Sequence, residues 1–136
     1  MLPYLIIKTS RHLRNKLDIE LGQINLTAAQ FSVLNRIQIS NNKVLASELA
    51  VQLGSDKPTI SGIVKRLGQM SLIVKTPHET DRRAEYLSLT ELGIDRLDEA
   101  RQIADKVTEV IFSDFDNETM ATFESYLVKL LTNLEG

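Results

Sequence analysis

Two groups of residues in this chain have the types and spacing to do chemistry, and both suit the holding of a polyanion. The first runs from Lys57 to Arg66, where Lys57, Thr59, Ser61, Gly62, Lys65 and Arg66 are interleaved with Ile60, Ile63, Val64 and Leu67. The apolar residues fall at i, i+3, i+4 and i+7, so they mark the inner face of a helix and leave hydroxyls and cations facing outward. The second group is Asp81-Arg82-Arg83, followed by Leu89-Thr90. Ammonium, guanidinium and hydroxyl groups bond phosphate oxygens and base edges, and a basic turn between two strands just after a recognition helix grips a duplex. The chemistry implied is recognition of double-stranded DNA.

Other chemistries find little support. The chain has no cysteine, which removes disulfides, thiolate nucleophiles, thiol-based peroxide sensing and cysteine zinc sites. His12 and His78 are the only histidines and stand far apart, so no metal site is expected. Asp95, Asp98 and Glu99 share much of a helix face, but with Arg96 and Arg101 beside them they read as a solvated, salt-bridge-laced surface. No phosphate-binding glycine loop or nucleophile elbow occurs. The expectation is a protein without cofactor or metal that is not an enzyme.

The net charge of −2 argues against a polyanion partner until its distribution is considered. Residues 1–53 and residues 54–84 each carry a balance of +3, and residues 85–136 carry −8. Positive charge therefore sits where DNA would be read, and phosphate attraction is local, being screened over about 10 Å. The apolar stretch from Leu2 to Ile7 is too short to span a bilayer and is followed by Lys8, Arg11, Arg14 and Lys16, against the order of a signal peptide. A cytoplasmic protein without membrane contact is expected.

The elements that must position these groups are legible along the chain. Leu2, Ile6, Leu13, Leu17 and Leu21 mark a first helix from Pro3, which Gly22 should end. Thr27 and Gln30 form a capping box, with Leu26 and Phe31 as a hydrophobic staple, and Ser40-Asn41-Asn42 stops that second helix. Ala46 to Leu53 is a third helix, Gly54 the turn, and a fourth begins near Asp56, which is helix-turn-helix spacing. Ile73 to Thr76 and Glu85 to Leu89 read as a two-stranded hairpin. Thr90 caps a long helix to about Phe112, and Asp116 caps the last.

In this order the residues resemble the MarR family of transcriptional regulators, over almost the whole length. The family's wing pattern is met by Asp81, Arg83, Leu89 and Thr90, followed by Gly93. The Leu26-Thr27 start with Gln30 and Phe31, Ser47-Glu48-Leu49-Ala50 and Thr59-Ile60-Ser61 are also similar. Two positions depart: Gly62 stands where many relatives carry a long side chain that reaches a base, and Ser71 where relatives usually have Gly. A positive φ at Ser71 would cost about 1 kcal/mol relative to Gly.

The resemblance implies a mainly α fold with a small β-hairpin wing: a winged helix-turn-helix with N- and C-terminal dimerisation helices. It implies one domain over 1–136, with 1–22 and 91–136 for dimerisation and 27–90 for DNA binding. Two recognition helices of a homodimer would read an inverted repeat with half-sites roughly 10 bp apart. Lys57, Thr59, Ser61, Gly62, Lys65, Arg66, Arg82 and Arg83 become the DNA-binding set, Arg83 entering the minor groove and Asp81 holding the wing. Tyr4, Arg11 and His12 lie where relatives bind small aromatic acids, so a repressor modulated by such an effector is expected. The alternative is a winged-helix protein-interaction module without DNA binding, which loss of the basic wing would mark.

Overall fold

Four of the six helix starts in this chain are set by side-chain oxygens, and a computed structural model, which describes residues 1–136, places these four where the sequence predicts. The order is α1 (Leu2–Leu21), a 3-10 turn (Gly22–Ile24), α2 (Ala28–Ile39), α3 (Ala46–Gln52), α4 (Lys57–Gln69), β1 (Ile73–Pro77), β2 (Glu85–Leu89), α5 (Glu91–Ile111) and α6 (Asn117–Glu135). The Gln30 amide donates to Thr27 Oγ1 at 3.1 Å, and the Thr27 amide to Gln30 Oε1 at 3.0 Å, completing the capping box. Asp56 and Asp116 cap α4 and α6 by accepting the Thr59 and Thr119 amides, each at 2.7 Å. Thr90 caps α5, its Oγ1 accepting the Gly93 amide at 3.0 Å.

Four helix ends share one closure. Leu26, Asn42, Ser55 and Leu72 donate their amides to the carbonyls of Leu21, Ile37, Ala50 and Leu67, five residues back. A residue in the left-handed region precedes each donor: Asn25, Asn41, Gly54 and Ser71, with φ of 58°, 55°, 62° and 62°. This is the Schellman closure, which satisfies carbonyls left open at a helix end. It corrects the expectation for Gly22, which is right-handed at φ −57° and opens the 3-10 turn. Asn25 makes the reversal instead.

The chain divides into two compact units, residues 1–104 and 105–136. In the first, α2 packs on α1, α4 and β2, and α3 on α4. Leu21, Val33, Leu34, Ile37, Leu49, Leu67, Leu72, Leu87 and Leu97 are fully buried there. Strands β1 and β2 pair antiparallel, Ile73 opposite Leu89 and Pro77 opposite Glu85. Val44 adds a bridge to Leu87 on the outer edge, a strand-like contact that the polar run before it concealed. In the second unit, Phe112 meets Phe115 edge-on at 5.4 Å and Phe123 at 6.0 Å.

The start of α5 docks on the turn that follows α4. Thr90 donates its hydroxyl to the Ser71 carbonyl at 2.7 Å and its amide to the Leu72 carbonyl at 3.1 Å. One turn later Gly93 is so close that a Cβ would overlap the Leu72 carbonyl oxygen. Arg96 and Arg101 do not lace the acidic face of α5 with ion pairs, as the sequence suggested. Arg96 bonds the Ile24 carbonyl at 3.0 Å and Arg101 bonds Asn35 Oδ1 at 2.6 Å, so both tie α5 to earlier elements. No helix is long and apolar enough to cross a membrane.

Candidate DNA interface

Helix α4 buries Ile60, Val64 and Leu67, with Ile63 half-buried, and this fixes which side chains look outward. Lys57, Thr59, Ser61, Gly62, Lys65 and Arg66 are all exposed. They divide between two flanks. Ser61 and Lys65 line an open groove of about 840 Å³ between α4 and β1, over a floor including Val64, Ile73 and Val74. Lys75 lines its far side and no carboxylate does, so the groove is positive. Arg66 lines a cavity on the other flank with Asp18, Thr27, Gln30 and Met70.

Thr59 has a second duty. Its hydroxyl donates to Asp56 Oδ2 at 2.9 Å while its amide donates to Oδ1. Bonds from the Thr59 amide and then its hydroxyl hold the Asp56 carboxyl below the ordinary value. Gly62 stands over open space, since nothing lies within 4 Å of an added Cβ. Position 62 therefore adds backbone to the surface of α4 and no reach. An α-helix with its side chains is about 10–12 Å across, which matches a major groove about 12 Å wide.

The wing holds its basic turn by local bonds. Asp81 Oδ1 accepts the Arg83 amide at 2.9 Å, with Arg83 Nε 3.7 Å away, and the Ala84 amide donates to the Asp81 carbonyl. The Arg83 side chain is 94% exposed, and Arg82 is exposed beside it. His78 Nδ1 accepts the amides of Thr80 and Asp81 at 3.2 and 3.1 Å, which assigns the ring proton to Nε2. Glu79 accepts Lys43 Nζ and the Tyr86 hydroxyl, each at 3.1 Å.

Sequence reasoning missed Lys43, Lys75, Glu79 and Tyr86. Lys75 had a signal, because a cation on a strand following a recognition helix faces the same groove. Lys43 and Glu79 are 36 residues apart and had none. On α1, Tyr4, Arg11 and His12 come together with Ile7, Lys8 and Asn15 around a shallow cavity of about 350 Å³, Lys8 Nζ lying 5.6 Å from the Tyr4 ring centroid. That face lies on α1 alone, apart from the groove beside α4.

A sequence profile of the MarR family matches residues 24–84, which span the capping box, the helix-turn-helix and the wing turn. The HTH-type transcriptional regulator FarR of Neisseria gonorrhoeae is 28% identical over 110 residues, covering 81% of this chain and 75% of that protein. A mutant MarR of E. coli in complex with operator DNA superposes with a TM-score of 0.85 at 24% identity, over 96% of this chain and 93% of that one. The organohalide-sensing transcriptional regulator RdhR in its 2,4-dichlorophenol-bound form gives 0.84 at 22%, over 98% and 80%. At such identities the two structures establish the fold. The curated protein adds a role on its own side, that of an HTH-type transcriptional regulator, in agreement with the family profile. With its helix-turn-helix, wing and terminal helices in that order, the chain has the fold of the MarR regulators and matches the MarR family profile over residues 24–84.

Proposed function

We propose that the protein is a homodimeric, sequence-specific cytoplasmic repressor whose grip on DNA is modulated by a small aromatic acid. The observation that carries this reading is the pairing of a positive, acid-free groove beside α4 with a wing that presents Arg82 and Arg83 exposed to solvent. Lys57, Thr59, Ser61, Gly62, Lys65 and Arg66 meet the major groove, and Arg83 enters the minor groove, where narrowing concentrates negative potential. Asp81 shapes the turn between them.

Dimerisation is supported by apolar surface that a lone subunit leaves in water. Helix α6 has no buried residue, yet carries Phe123, Leu127, Val128, Leu131 and Leu134. Leu2, Leu5, Ile6 and Ile7 of α1 and Val110 and Ile111 of α5 are exposed as well. Patches of this kind mark interfaces, and isologous pairing is the commonest way to cover them. In this reading residues 1–22 and 91–136 make the dimer, 27–90 the DNA-binding region, and the whole chain one domain.

The effector would lie against Tyr4, with Arg11 or His12 pairing its carboxylate. A small aromatic ligand is supported by the structural neighbour crystallised with 2,4-dichlorophenol, although that ligand carries a phenol hydroxyl in place of a carboxylate. It acts only if its affinity differs between the two spacings of the DNA-binding lobes. Repression follows from covering a promoter. The test is selection of bound fragments from random DNA by the purified protein at about 0.15 M salt, with the oligomeric state measured by scattering. An inverted repeat with half-sites about one turn apart is expected. A folded dimer that enriches nothing overturns the reading.

A further inference from the structure

We propose that Glu79 is the positioning residue of the wing, holding it through Lys43 and Tyr86 so that Arg82 and Arg83 meet the duplex at one angle; this rests on the DNA reading above. The hairpin is anchored at its base by Ile73, Leu87 and Leu89, which are buried. From Thr76 and Tyr86 outward to the tip no residue is buried, so apolar packing does not decide where the tip points. Polar contacts must. Glu79 Oε1 accepts Lys43 Nζ and Oε2 accepts the Tyr86 hydroxyl. Lys43 is fixed in turn, because the carbonyl of its neighbour Val44 accepts the Leu87 amide at 2.9 Å.

From Tyr86 the chain of contacts continues to the basic turn. The Tyr86 ring lies 4.9 Å from that of His78, whose Nδ1 receives the amides of Thr80 and Asp81. Asp81 receives the Arg83 amide. Lys43 and Glu79 are 66% and 60% exposed, and exposed pairs of this kind add little to global stability. Their effect falls instead on an element that little else orients. A carboxylate beside a polyanion is otherwise a liability, and this gives the test a sign: on charge alone, removing Glu79 tightens DNA binding, whereas loss of positioning weakens it.

The experiment compares wild type, Glu79→Gln, Lys43→Gln and the double variant by fluorescence anisotropy on a labelled duplex from the selected pool, at about 0.15 M salt. Backbone amide relaxation of residues 78–84 is recorded on the same proteins. Glu79→Gln is expected to raise the mobility of those amides and weaken binding about three- to ten-fold, with Lys43→Gln adding nothing further in that background. Arg83→Ala should cost less in the Glu79→Gln protein than in wild type. Wild-type binding together with a Glu79→Gln variant that binds as tightly or more tightly overturns the proposal. A wild type that binds no duplex overturns the DNA reading beneath it, and is seen before any variant is compared.

Discussion

At the scale of single residues, Arg83 and Ser71 make opposite kinds of statement. Arg83 has little to hold it beyond a carboxylate 3.7 Å away, so its substitution should leave the fold alone and act on binding. Arg83→Ala is expected to weaken duplex binding about five- to thirty-fold and to lower the salt slope by about one, with an unchanged circular dichroism spectrum. Binding equal to wild type at about 0.15 M salt would remove Arg83 from the interface. Ser71 sits at φ 62°, where its Cβ is strained, so Ser71→Gly should raise stability by about 1 kcal/mol in denaturant unfolding. Both positions were legible as motif positions. Sequence alone could leave the strain at Ser71 only conditional, because a backbone angle is decided by the closure around it.

At the scale of elements, the junction between α4 and α5 gives the Leu89-Thr90 and Gly93 motif its physical meaning. Thr90 commits its hydroxyl and amide to Ser71 and Leu72 in the turn between α4 and β1, and Gly93 lets α5 approach that backbone. Gly93→Ala should therefore force the two apart and cost about 2–3 kcal/mol in thermal or denaturant unfolding; full stability would show that the approach is not needed. Helix starts set the acid limit. Asp56, through the Thr59 amide and hydroxyl, and Asp116, through the Thr119 hydroxyl and amide, lie below their ordinary 3.8. A lowered folded value means the unfolded chain binds the proton more readily, so this stability is present above the ordinary value and is lost as pH falls through the folded one. Lys43, bonded by Glu79, is raised above 10.5, so its share is complete below that value and goes at higher pH. Helical signal should fall below about pH 4, and Asp56→Asn should blunt this acid limb in a titration followed by circular dichroism.

At the scale of the whole molecule, the distribution of apolar surface outweighs the net charge. A 19-residue helix with no buried residue and a row of large apolar side chains in water is out of balance for a lone subunit. Sedimentation should give a dimer at micromolar concentration, with a melting temperature that rises with concentration. Leu127→Glu should convert it to monomer or abolish cooperative folding, and a variant that sediments and melts like wild type would place the interface elsewhere.

Local chemistry made most of this protein readable in advance. Side-chain caps at Thr27, Asp56, Thr90 and Asp116, the 3.6-residue spacing of Ile60, Val64 and Leu67, and the basic turn at Arg82 and Arg83 act over a few residues, so their order in the chain carries the fold and the class of partner. Tertiary structure decided what depends on distant partners. Lys43 meets Glu79 across 36 residues, Arg96 and Arg101 leave their neighbouring acids for Ile24 and Asn35, and Asn25 takes the reversal that Gly22 was expected to make. A side chain with several bonding options is settled by whichever backbone or carboxylate the packed core brings within about 3 Å, and no spacing rule along the chain contains that choice.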